Sequence, residues 1–278
     1  MNHRLISSEA RADDTPLDLP TIVAAAIVAY VVANVLHEGL GHGGACLLFG
    51  CRPRVLTTAY FDGDSSNISD TGLRLIAAGG TLVNLTAGVF FLSLLRSAKN
   101  ARGVIRYFLW ISMTVNLLVG TGYPLFSGVL GVGDWVKVVD GWESTGLWRL
   151  ALSILGIVLY MSALWLSLRE LAKLAGDDQP GSRRRAVRFT LIPYLLGSVA
   201  STLGAFLNPI GLVLVATSAA AHFGGTSGLA WMAQMLPNKW FPPVKNNPLR
   251  IPRSWGWVAL AAILLAGHVV FLGPGIRF

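Results

Sequence analysis

The chain has 278 residues, of which 53% are hydrophobic and only 13% charged, with a net charge of +8 and a mean hydropathy of +0.58. Soluble domains carry about 25% charged residues, so this composition excludes an ordinary water-soluble fold and makes the bilayer its solvent. The positive charge does not point to nucleic acid, because the basic residues stand in short segments between long apolar runs, as in a multi-pass membrane protein.

The first twenty residues mix Arg4 and Arg11 with Glu9, Asp13, Asp14 and Asp18. They lack the basic start and short apolar core of a cleavable signal, so residues 1–20 read as a tail before a retained first span. Apolar runs predict spans at about 21–49, 73–95, 104–127, 147–171, 188–206, 209–236 and 255–273. Asn208 and Pro209 divide the fifth from the sixth; ignoring that break gives six. With seven, the loops holding Arg96, Lys99, Arg102 and Arg106, then Arg183, Arg184, Arg185 and Arg188, then Lys239, Lys245, Arg250 and Arg253 share one side. The positive-inside rule makes that side cytoplasmic. A bacterial inner membrane is the expected location. Arg54 to Phe61 is rich in β-branched and aromatic residues and predicts a short strand or hairpin against the membrane. Cys46 and Cys51 enclose too short a loop to gain much from a disulfide and lack metal-type spacing, so no bridge is expected.

Ionisable side chains at membrane depth are costly and mark functional sites. Val35 to Gly44 reads Val-Leu-His-Glu-Gly-Leu-Gly-His-Gly-Gly and places His37, Glu38 and His42 inside the first apolar run. Two histidines beside a glutamate suit a zinc hydrolase, in which imidazoles hold the ion and the carboxylate takes a proton from water. The usual spacing is HExxH; here it is HExxxH. On a regular α-helix residues five apart lie roughly 140° apart around the axis, so the two imidazoles would diverge. A one-residue π-bulge, tolerated by Gly39 and Gly41, would return them to one face. The spelling is similar to the HExxGH helix of the dipeptidyl peptidase III family. In an unbulged helix Glu38 and His42, four apart, would instead be joint ligands. A structural alternative has neutral, hydrogen-bonded histidines and a protonated or paired Glu38.

Further segments fall in a recognisable order. Leu47 to Val55 follows the histidines, Gly79-Gly80-Thr81-Leu82-Val83-Asn84 lies in the second span, and Asn116, Tyr123-Pro124 and Gly133-Asp134-Trp135 follow in and after the third. Over its first half the chain resembles the site-2 protease family of intramembrane zinc metalloproteases. It departs from the family pattern in the histidine spacing, in Thr81 where the second motif has proline, and in Trp135 where glycine follows the acidic residue.

The resemblance implies an all-α multi-pass membrane protein with a Zn2+ site among the first three of about seven helices, and a short membrane-associated strand after the first. It implies a catalytic core over residues 21–135 and accessory helices over 136–278. His37, His42 and Asp134 would be metal ligands, Glu38 the general base, and Asn84 and Asn116 substrate-backbone contacts. Asp140, before Gly141, is the reserve ligand. His222 is either a lining residue of the access path or a packing residue, and His268 and His3 are structural or exposed. The implied substrate is a transmembrane protein segment, with membrane lipid as the surroundings and no nucleic acid. A catalytically inactive relative that binds membrane partners and a multi-helix transporter are the alternative functions. The loop charges turn the metal end of the first span outward, whereas the family usually holds its zinc nearer the cytosol.

Overall fold

The computed structural model describes residues 17–176, 181–236, 240–241 and 248–278. Most of the expected tail, with His3, and the loop cations Lys239 and Lys245 lie outside the described residues. Among the described residues, seven helical segments are long and apolar enough to cross a membrane: Leu19–Leu48, Asp70–Ser97, Gly103–Leu130, Thr145–Ala175, Gly181–Leu207, Leu212–Met235 and Trp255–Leu272. The chain is a multi-pass integral membrane protein with the expected seven spans.

Asp18 caps the first span, accepting from the Thr21 backbone N–H at 3.0 Å, and pairs with Arg253 before the seventh span at 2.7 Å. Leu249 donates its backbone N–H to Leu174, and Gly103 packs against the Arg250 carbonyl. The starts of the first, third and seventh spans and the end of the fourth therefore meet at one end of the bundle, the end with the basic loops. Between the fifth and sixth spans, Asn208 caps Ile210 and donates to Gly273, while Gly211 turns at φ +82°. The chain re-enters there as a separate helix. Buried aromatics bind the helices together through polar tips as well as packing: Tyr30 donates to Thr226, Tyr107 to the Phe189 carbonyl and Trp110 to the Ser167 carbonyl.

At the other end, β1 (Arg52–Leu56) pairs antiparallel with β2 (Phe61–Asp64), a hairpin where a short strand or hairpin is expected. β3 (Ile276–Arg277) adds to the far edge of β1, giving the order β2-β1-β3. The last strand has no sequence signal, because two residues are too few for periodicity.

The expectation for the cysteines is overturned: Cys46 and Cys51 are joined. The first span ends at Leu48, Gly50 turns at φ +80°, and the Cys51 N–H bonds back to the Cys46 carbonyl at 2.9 Å. That turn brings the Cα atoms within 4.8 Å. The bridge fixes the exit into β1 where chain entropy alone argued for little gain.

Candidate metal centre

Leu36 to Gly43 is π-helical, so the expected bulge is present. The Gly44 N–H reaches back five residues to the Gly39 carbonyl, and the extra residue brings His37 and His42 to one side of the helix. Glycine on the neighbouring span makes room. A Cβ on Gly41 would stand 2.5 Å from the Gly80 Cα, and one on Gly80 would stand 2.5 Å from His37 Nε2. Gly79 likewise abuts the Gly41 carbonyl. Only bare backbone lets the first two spans approach this closely.

The third side chain comes from beyond the third span. Pro124 lies within that helix, which ends at Gly131 with φ +70°; Gly133 at φ +94° then starts the short helix Asp134–Val138. The Trp135 indole donates to Thr81 Oγ1 at 3.0 Å and ties this helix to the second span. Asp134 Oδ2 lies 3.2 Å from His37 Nε2 and 3.3 Å from His42 Nε2, and the two Nε2 atoms are 3.3 Å apart.

The outer nitrogens decide the tautomers. His42 Nδ1 lies 2.8 Å from the Ile76 carbonyl, which only accepts, so Nδ1 carries the proton. His37 Nδ1 lies 2.6 Å from Asn84 Oδ1. The Asn84 amide donates to the Ala33 carbonyl at 3.1 Å and to Asn116 Oδ1 at 2.8 Å, so its oxygen faces His37 and accepts. Both Nε2 lone pairs then point at Asp134. Three acceptors this close repel one another unless a cation stands among them. Donors held at about 2.0–2.1 Å around a tetrahedral ion stand about 3.3–3.4 Å apart, which is the spacing found. His37, His42 and Asp134 form a group able to hold a metal ion.

Glu38 is 5% exposed and does not belong to that group. With His37 it lines a cavity of about 50 Å³ whose walls include Asn34, Thr58, Tyr123 and His222. Asn34 Oδ1 and Thr58 Oγ1 are buried there without a hydrogen-bond partner among the described residues. The volume exceeds the roughly 10–15 Å³ that a water needs. Tyr123 stacks on His37 with centroids 4.5 Å apart, a contact that sequence reasoning missed. On its other side Tyr123 borders an apolar cleft of about 400 Å³ between the third, fourth and sixth spans, which shares Val119, Tyr123 and Ala221 with the polar cavity.

The remaining expected residues sit as follows. Asn84 and Asn116 are fully buried; Asn116 also donates to the Ser112 carbonyl, and every polar atom of Asn84 is engaged inside the protein. Asn84 bonds to His37 and Asn116 bonds to Asn84, and neither lines the cavity. Asp140 is exposed, holds the Gly141 N–H and stands outside the cluster. His222 lines the cavity with Nδ1 bonded to the Ser218 carbonyl at 2.8 Å and Nε2 3.4 Å from the Asn34 amide. His268 is buried in the π-helical end of the seventh span, outside the cluster.

No protein-family model, curated protein or solved structure matches this chain.

Proposed function

We propose that this chain is an intramembrane zinc metalloprotease of site-2 protease type, acting on transmembrane protein segments in a bacterial inner membrane. The observation that carries this reading is the meeting of two Nδ1-protonated imidazoles and Asp134 at metal-ligand spacing, with a buried carboxylate and a water-sized polar cavity beside them. His37, His42 and Asp134 would hold the ion, and two nitrogens with one carboxylate oxygen suit zinc. When bound, zinc supplies Lewis acidity that lowers the pKa of water and polarises a carbonyl.

The protein's own groups do the rest. Asn84 and the Ile76 carbonyl fix both imidazole rings. Glu38 takes the proton of the attacking water and returns it to the amine of the broken peptide bond. Asn34, Thr58 and His222 keep water beside Glu38 within an apolar bundle. The apolar cleft behind Tyr123 suits a substrate helix arriving from lipid, and small residues at Gly122, Ala220, Ala221, Gly224 and Gly225 leave room for it. The basic loops on a single side suit the charge asymmetry of a bacterial inner membrane.

The test is Glu38→Gln in purified protein with a transmembrane test substrate, read by metal analysis and cleavage together. Zinc should stay near stoichiometric while cleavage disappears, because an amide cannot accept the proton. Loss of zinc in that variant would make Glu38 a ligand. Wild-type protein that binds zinc but cleaves no transmembrane substrate would favour an inactive binding protein.

A further inference from the structure

A second cleft, of about 830 Å³, opens at the opposite end of the bundle from β1. Its walls come from the end of the second span, the start of the third and the end of the fourth. Arg96, Lys99, Arg106, Arg169 and Lys173 surround the single carboxylate of Glu170 over a floor of Leu95 and Leu174. Glu170 is already engaged: Lys173 Nζ lies 2.8 Å from both of its oxygens and Arg96 3.5 Å from one. Arg169 lies 5.6 Å from the ring centroid of Trp165, a half-exposed side chain on the lipid-facing surface.

Arg106 is the informative member. Its Nε is buried and has no hydrogen-bond partner among the described residues, and neither Arg106 nor Lys99 makes an ion pair with any of them. A buried charged donor without an acceptor is unfavourable and calls for a ligand or ordered water. Five cations around one neutralised carboxylate favour an anion over water alone.

We propose that this cleft binds a phosphate group, presented by the headgroup of an anionic phospholipid. Guanidinium forks bind phosphate oxygens in bidentate fashion, and Arg106, Arg169 and Arg96 supply three of them. The cleft lies at the end with the basic loops, where the positive-inside rule places the cytoplasmic headgroup layer. It is also much roomier than one inorganic phosphate needs, and Trp165 sits beside it where a chain-bearing ligand would leave toward lipid. The site is independent of the metal centre.

The experiment uses the full chain, stripped of lipid in a neutral detergent, and measures binding by native mass spectrometry and thermal unfolding. The probes are phosphatidylglycerol, phosphatidylcholine with the same acyl chains, and inorganic phosphate. Phosphatidylglycerol should bind and raise the unfolding midpoint where phosphatidylcholine does not. Lys99→Gln and Arg106→Gln should each weaken binding by about fivefold. Arg277→Gln, at the other end of the bundle, should leave it unchanged. Lys99 is exposed, so its variant tests the site even if Arg106→Gln fails to fold. Full displacement of the lipid by millimolar phosphate would keep the anion site and assign it to a soluble phosphate. Equal binding of the two lipids, or undiminished phosphatidylglycerol binding in Lys99→Gln and in folded Arg106→Gln, would overturn the proposal.

Discussion

Asn84 joins three helices through one amide: it accepts from His37 of the first span and donates to Ala33 of that span and Asn116 of the third. On the proposed function His37 holds the metal, and removing such a support around a ligating histidine costs about 10–100-fold in affinity. Asn84→Ala should therefore lower zinc affinity by that range in a chelator competition, whereas a substrate contact would leave the metal untouched and raise KM. Sequence could not make this distinction, because a polar residue in an apolar run looks the same whether it serves a neighbour or a ligand. His37, Glu38 and His42 were legible for the opposite reason. Three ionisable groups are conspicuous in an apolar stretch where each is costly. Asp140, followed by Gly141, matches the family's Asp-Gly dipeptide better, and in the sequence only its greater distance past Pro124 sets it behind Asp134; the Gly131 and Gly133 turn and the Trp135 bond to Thr81 are what carry Asp134 back to the histidines.

At the scale of elements, the π-helical segment works only while the first two spans stay in contact. Gly80→Ala should cost metal binding and expression, because its methyl would occupy the place of the His37 ring. Gly39→Ala should bind zinc normally, since a Cβ there meets nothing nearer than Leu56 at 3.8 Å. Comparable zinc loss in both variants would count against close packing as the cause. The bulge could be inferred from spacing, but Thr81 and Trp135, two of the departures from the family pattern, gave no hint that they bond to each other. That pairing needs the short helix after the third span folded against the second span.

The N-cap of the first span offers a pH test. Burial raises the Asp18 carboxyl, but hydrogen bonds from Thr21 and Arg253 outweigh it, so the folded-state pKa lies below the ordinary value. A depressed carboxylate stabilises fully above the unfolded pKa of about 3.9 and loses that contribution as the pH falls toward its folded value. Asp18→Ala should cost about 0.5–2 kcal/mol near neutrality, and the gap in unfolding midpoint from wild type should close as the pH drops below about 4.

For the whole molecule, charge and redox chemistry agree on orientation. The basic loops gather at the Asp18 and Arg253 end, while the Cys46–Cys51 bridge lies at the sheet end, and a disulfide suits an oxidising compartment. His37 stands about 17 Å along the helix axis from Leu48 and about 27 Å from Leu19, nearer the bridge. In a chain with both cysteines replaced, Asp140→Cys should react with an impermeant maleimide added outside the membrane, and Lys99→Cys only after permeabilisation. The reverse pattern would turn the metal centre toward the cytoplasm. Span number and the gathering of the basic loops at one end were legible because apolar length and loop charge are local sums. The third strand of the sheet was not, because its contact with β1 joins residues far apart in the chain.

That contact sets a clock. Leu56 of β1 pairs with Ile276 of β3, so the edge of β1 lacks its second neighbour until the ribosome has added about 220 more residues. At roughly 5–20 residues per second the delay is about 10 to 40 seconds. His37, His42 and Asp134 are all made by residue 134, so a nascent chain carries the whole group able to hold a metal while one β edge is still open. Any extended segment nearby during that interval competes with Ile276 and Arg277 for the same backbone groups, and order of synthesis favours whichever arrives first.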